Sequence, residues 1–317
     1  MRAAVIERYG EPPVVRDMPP PEPADGVVSI KVAAAPINPV DLSIANRRFY
    51  GPSPPTPYVP GREGVGRVLS GPGHAAGTRV YFEVDGVHGS FAEQSATRAS
   101  HLAAIPDGVT DAVAAGLGIP ALAAWLGLDW RGQLRPGETV LVLGASGVLG
   151  MIAVQAAKLL GAGRVVAAAR SREGLQRAAG LGADATVELP GDDGLSEQFS
   201  RAAGGSLDLV IDPLWGPPGL AALRALRVGG RLVQLGQAAG PEVSLPSSVV
   251  RGRQLTILGH TNFAVPWEIK AQAFLTMVGH AAAGRLQVDY ETLPLEQAPE
   301  AWHRQATSPG RKLILLP

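Results

Sequence analysis

The chain contains no cysteine. That absence excludes disulfides, thiolate catalysis and every cysteine-ligated zinc site, and it fits a cytoplasmic protein. Net charge is missing too. Twenty-eight basic residues balance 28 acidic ones, with no long run of either sign, so nothing electrostatic favours nucleic acid or a membrane surface as partner. The nearest approach to a membrane span, Ala112 to Leu128, is short of the ~20 residues required and holds Gly116, Gly118, Pro120 and Gly127. It reads as a packed inter-domain helix with its lead-in. Residues 1–10 carry Arg2, Glu7 and Arg8 and lack the apolar centre of a signal peptide. The six histidines show no metal-ligand spacing. Hydrophobic residues at 46% and charged residues at 18% exclude disorder. The length of 317 residues suits two domains, and the expected ligand is a small molecule.

What is present centres on residues 139–170. Val140 to Leu143 form an apolar run suited to a strand buried on both faces. The turn that follows, Gly144-Ala145-Ser146-Gly147-Val148-Leu149-Gly150, opens a helix over about 148–160, whose free N–H groups and dipole would face a pyrophosphate. Ala145 stands where the first glycine of the usual spacing belongs, so the strand-turn-helix-strand context carries the assignment. Twenty residues beyond Gly150, where an NAD site has an acid for the ribose hydroxyls, stand Arg170, Ser171 and Arg172. An acid would repel a 2′-phosphate and an arginine would pair with it, so the expected cofactor is NADPH.

From residue 1 to about 111, short β-rich runs alternate with proline and glycine clusters, including a loop over 51–61 with five prolines. From 112 to 284 strands and helices alternate. Strands are expected near 139–143, 164–169, 184–188, 207–212, 230–235 and 255–259, with helices near 148–160, 172–180, 195–203, 217–226 and 266–284. This pattern predicts an α/β Rossmann domain, a doubly wound parallel sheet over 112–284. The β-rich domain over 1–111 would be completed by 285–317.

Several separated segments share one larger pattern: Asn38-Pro39-Val40-Asp41, Pro60-Gly61-Arg62-Glu63-Gly64-Val65-Gly66, Gly89-Ser90-Phe91-Ala92-Glu93, the glycine turn, and Gly310-Arg311-Lys312-Leu313. In order and spacing the chain resembles the medium-chain dehydrogenase/reductase superfamily, and within it the zinc-independent quinone oxidoreductase branch. The resemblance implies a GroES-like catalytic domain beside the Rossmann domain, a cleft between them and a homodimer. It also implies that residues 255–259, an apolar edge strand, pair across the two-fold axis.

Zinc-dependent members have a catalytic cysteine near Asn38 to Asp41 and a Gly-His-Glu motif where this chain has Gly61-Arg62-Glu63. No metal is therefore expected, and Glu63 is expected as an ion-pair partner beside Arg62. Asp41 would hold its loop or Asn38. Hydride transfer to a conjugated acceptor leaves an oxyanion that needs donors, for which Asn38, the candidate catalytic residue, a cofactor ribose hydroxyl or a water would serve, and by the resemblance Phe49 and Tyr50 edge the substrate site. Cofactor contacts are expected from Ala145, Ser146, Gly147, Val148, Arg170, Ser171, Arg172, Leu235, Gly236, Gln237, Gly259, His260 and Thr261, with His260 as scaffold rather than acid. The expected function is NADPH-dependent hydride transfer to a small-molecule acceptor, a quinone or an α,β-unsaturated carbonyl. The alternatives are an NADP-dependent alcohol dehydrogenase or ketone reductase, and a non-catalytic NADPH-binding sensor or structural protein.

Overall fold

A computed structural model describes residues 1–317 except Pro23, Asp85 and 190–193. The chain divides into two compact units, residues 1–119 with 267–317, and residues 120–266.

The first unit is β-rich. Its strands are β1 (Arg2–Val5), β2 (Val14–Asp17), β3 (Val27–Pro36), β4 (Glu63–Ser70), β5 (Arg79–Glu83), β6 (Gln94–Arg98) and β7 (Leu102–Ala104). β3 is the hub: it pairs antiparallel with both β4 and β6, and near its end with a strand from the C-terminal segment. Its inward residues Val28, Ile30 and Val32 alternate along the strand as a one-sided sheet requires, and they join Val68, Val80, Phe82 and Phe91 in one core. A short helix, Pro39–Ala45, follows β3 directly, with proline at the start where a helix tolerates it.

The second unit is a six-stranded parallel sheet of β8 (Thr139–Leu143), β9 (Arg164–Ala169), β10 (Ala185–Glu188), β11 (Leu207–Asp212), β12 (Leu226–Gln234) and β13 (Thr256–Gly259). The spatial order is β10-β9-β8-β11-β12-β13. The order reverses between β8 and β11, which is the switch point where ligands of doubly wound sheets bind, outside the strands' carboxyl ends. β8 and β9 are buried on both faces, as strands covered by helices must be. The C-terminal segment then returns to the first unit as β14 (Tyr290–Pro294) and β15 (Lys312–Leu316).

The elements differ from expectation in three places. The helix expected over 266–284 runs Trp267–Ala282 and belongs to the first unit, so the units divide at 119/120 and 266/267 rather than at 111/112 and 284/285. Trp267 stacks parallel to Tyr81 at 6.3 Å between ring centroids, and Lys270 pairs with buried Glu83, contacts that hold this helix in the first unit. The lead-in expected before the helix of 112–128 is itself helical: the stretch forms two helices, Asp111–Gly116 and Ile119–Leu126, broken around Leu117 and Gly118. A helix at Ser247–Arg253 was not anticipated. No described helix is long and apolar enough to cross a membrane.

Candidate active site

In the second unit the expected cofactor residues lie at the carboxyl ends of β8, β9, β12 and β13, one edge of one parallel sheet. The turn after β8 is tied to β9 by the Ala145 N–H on the Ala168 carbonyl at 3.0 Å, and Gly147 caps the helix Val148–Leu159. A Cβ on Gly150 would collide with the carbonyl of Gly144. The close approach of helix to turn therefore requires glycine, and it leaves the first-turn N–H groups aimed outward from the strand end.

Beyond β9, Arg170 is exposed and makes no hydrogen bond or ion pair with the described residues. Ser171 caps the next helix by accepting the Gly174 N–H at 3.0 Å. Arg172 is committed elsewhere: its Nε lies 2.7 Å from Glu188 at the end of β10. Both side chains are largely exposed, so the pair is weak and exchangeable.

Beyond β12, Gly236 lies close over the Pro213 carbonyl, and Gln237 is exposed. Beyond β13, the His260 N–H donates to the Gln234 carbonyl at 3.0 Å, and the His260 ring meets Asn262 Oδ1 through Nε2 at 3.1 Å and Trp130 edge-on. Burial holds the His260 imidazole below its usual range. The Gly259 carbonyl accepts from Arg131, and Thr261 caps a short turn at Asn262–Ala264.

The first unit holds a buried polar cluster at the end of β3. The Asp41 carboxylate accepts the N–H of Asn38 at 2.8 Å and of Arg62 at 3.0 Å, so it secures both its own loop and Asn38. Asn38 Nδ2 donates to Glu63 Oε1 at 2.8 Å and to the Pro36 carbonyl at 3.3 Å, and its Oδ1 accepts from Lys312. Glu63, fully buried, also accepts from Tyr81 at 2.8 Å and from the Ile119 N–H at 2.6 Å, with Lys312 Nζ 3.7 Å away. Burial pushes Asp41 up to about 6, raises Glu63, and lowers Lys312.

Both N–H groups of the Asn38 amide are engaged in this cluster, by Glu63 and by the Pro36 carbonyl. Glu63 is an ion-pair partner, as expected, and its counter-charge is Lys312 at the start of β15. Phe49 packs partly buried against the core, with Tyr50 exposed over it at 4.3 Å between ring centroids. Sequence reasoning missed Lys312, whose signal was a cation opening the aliphatic run Lys-Leu-Ile-Leu-Leu. It also missed Asp212, a fully buried carboxylate at the end of β11.

A zinc site does not fit these residues. Where a metal would need soft or anionic donors, Asn38 and Glu63 already face the ammonium of Lys312. No described group of three or more His, Asp or Glu side chains is placed to hold an ion.

Residues 24–107 match the family described as alcohol dehydrogenase GroES-like domain, and residues 148–276 match the one described as zinc-binding dehydrogenase. The rat quinone oxidoreductase-like protein 2 is 32% identical over 274 residues, covering 83% of this chain and 78% of that protein. A crystal structure described as an NAD-dependent alcohol dehydrogenase superposes with a TM-score of 0.89 at 31% identity, covering all of both chains. A mycobacterial protein solved in complex with NADPH superposes with a TM-score of 0.88 at 26% identity, again over all of both chains. The chain belongs to the medium-chain dehydrogenase/reductase superfamily, in its quinone oxidoreductase-like branch, and is an oxidoreductase by that kinship.

Proposed function

We propose that the protein is an NADPH-dependent, zinc-independent reductase whose acceptor is a quinone or an α,β-unsaturated carbonyl. The observation that carries this reading is the strand-turn-helix at Gly144 to Gly150 with exposed Arg170, unpaired among the described residues, at the end of the adjacent strand. Bound NADPH supplies the hydride. The chain's own residues bind and orient. The first-turn N–H groups after Gly147 take the pyrophosphate, with Ala145, Ser146 and Val148 shaping the turn. Arg170 pairs with the 2′-phosphate, Ser171 fixes the helix beside it, and Arg172 joins by exchanging Glu188 for the stronger anion. Leu235, Gly236, Gln237, Gly259, His260 and Thr261 line the nicotinamide end.

In the first unit Asn38 acts by position, holding the end of β3 through Glu63 and Lys312, and Tyr50 covers the acceptor with Phe49 beneath it. Among the described residues no acid is poised for proton delivery, so the product oxyanion is protonated from solvent. That restricts the acceptor to conjugated compounds, where charge spreads onto an oxygen without needing a metal or a positioned acid. Kinship with a structure described as an NAD-dependent alcohol dehydrogenase favours one rival, reduction of simple ketones.

The test is NADPH oxidation with 1,4-benzoquinone, an enone and the matching saturated ketone, using deuterated cofactor to detect direct transfer. Turnover of quinone or enone without the saturated ketone is expected. Preference for the saturated ketone establishes the rival. Silence with every acceptor despite tight NADPH binding establishes a sensor or structural protein.

A further inference from the structure

Asp212 ends β11 at the switch point of the sheet, fully buried. One carboxylate oxygen, Oδ1, accepts the N–H groups of both Leu214 and Trp215 at 2.8 Å. The other, Oδ2, has no hydrogen-bond partner among the described residues. It lies 2.6 Å from where a Cβ on Gly219 would stand, so a side chain there would have to displace the carboxylate. Burial pushes the carboxyl up to about 6, opposed only by the two backbone N–H groups, and no charged side chain contributes.

The turn so fastened is strained. Trp215 adopts φ 55° and ψ −152°, a conformation a tryptophan rarely takes. An ionised group without full compensation and a strained backbone share four residues, and neither serves packing alone.

The turn touches both neighbouring loops of the proposed cofactor edge. Leu214 Cδ2 comes within 3.2 Å of where a side chain on Gly144 would begin, against the glycine turn. On the other side the Ala238 N–H donates to the Pro213 carbonyl at 3.3 Å and the Ala239 N–H to the Leu214 carbonyl at 2.8 Å, tying in the loop that begins at Leu235.

We propose that Asp212 is a positioning residue for the dinucleotide: its ionised carboxylate fastens Leu214 and Trp215 so that the Pro213–Gly216 turn braces the glycine turn and the Leu235–Ala239 loop together. This rests on the cofactor site proposed above. Protonation of Asp212 weakens the two bonds and loosens both loops, while it relieves the desolvation that the fold carries. Dinucleotide affinity and fold stability therefore move in opposite directions when the charge is lost, which a purely structural carboxylate would not produce.

The experiment measures NADH binding by fluorescence between pH 5 and 7.5, because NADH lacks the 2′-phosphate, a group that titrates near 6 itself. For the wild type the dissociation constant should rise about tenfold on acidification through 6, the scale of one charge-assisted hydrogen bond. Asp212→Asn should bind as weakly as the acidified wild type, show no such pH dependence, and unfold at a higher temperature than wild type at pH 7.5. A flat wild-type profile overturns the proposal even if the variant does not fold. Asp212→Asn with wild-type affinity and profile, or with lowered affinity and lowered melting temperature together, also overturns it while leaving the cofactor site standing. Wild type that binds neither NADH nor NADPH overturns the cofactor site and this role with it.

Discussion

Lys312 and Glu63 show what a single buried charge does in this fold. Each is nearly inaccessible, and each is the other's nearest counter-charge. Removing one partner leaves an uncompensated ion in the core, a loss of about 3–5 kcal/mol, whereas replacing both by apolar or neutral groups of similar size is close to neutral. Glu63→Gln should therefore lower the unfolding midpoint sharply, and Glu63→Gln combined with Lys312→Met should recover most of it; equal losses in the single and double variants would show that the pair is not the source. At the cofactor edge, NADPH should bind at least about tenfold more tightly than NADH, or ~1.4 kcal/mol. Arg170→Ala should remove most of that preference, and Glu188→Gln should enlarge it by releasing Arg172 from its ion pair. Titration of both cofactors by fluorescence decides this, and equal affinities in the wild type would refute it. The position of Arg170 at the end of β9 was legible in the sequence because it depends on local spacing from the glycine turn. Lys312 and Asp212 were not, because a charged residue at a strand end reads as solvated until the sheet around it is assembled.

Elements were more legible than their partners. The Rossmann strands and helices follow hydrophobic periodicity within a few residues, since each is a local pattern on a two-sided sheet. The helix Trp267–Ala282 was found but assigned to the wrong unit, because periodicity reports an apolar face and not what covers it. Ser247–Arg253 escaped because it buries no residue and so shows no stripe. β13 is the element with the clearest unmet requirement. It ends the sheet, its burial is slight along its whole length, and Ile257 is 36% exposed. An apolar edge of this kind is normally covered or paired. We propose that it pairs with its symmetry mate in a two-fold dimer, so the wild type should sediment as a dimer and Ile257→Lys should shift it toward monomer. A wild type that stays monomeric at all concentrations would exclude this pairing.

For the whole molecule, two consequences of its buried charges are open to measurement. Because Lys312 occupies the centre of the cluster at Asn38 and Glu63, purified protein should contain no stoichiometric zinc and should keep its activity in chelator. One tightly bound zinc per chain, lost together with activity, would contradict that. The second consequence is an unusual dependence of stability on pH. Asp41 and Asp212 are each pushed up to about 6 by burial. A carboxyl whose pKa is higher in the folded chain binds more protons there than in the unfolded chain between about 4 and 6, so stability falls as pH rises through that window. Each of the two aspartates contributes on the order of 3 kcal/mol to this slope. His260 and His280 oppose it, since burial lowers both and the folded chain resists their protonation. Their effect is smaller in number and begins near 6.5, so the acids dominate below 6. The melting temperature of the cofactor-free protein should accordingly be greatest at the bottom of that window, near about pH 4, and acid unfolding should set in only below it, where surface carboxylates such as Glu291, held low by Arg304, lose their charge. Calorimetric midpoints between pH 3.5 and 8 test this directly, and a midpoint that falls steadily from pH 7.5 to 5 would mean that these carboxyls are not buried in solution.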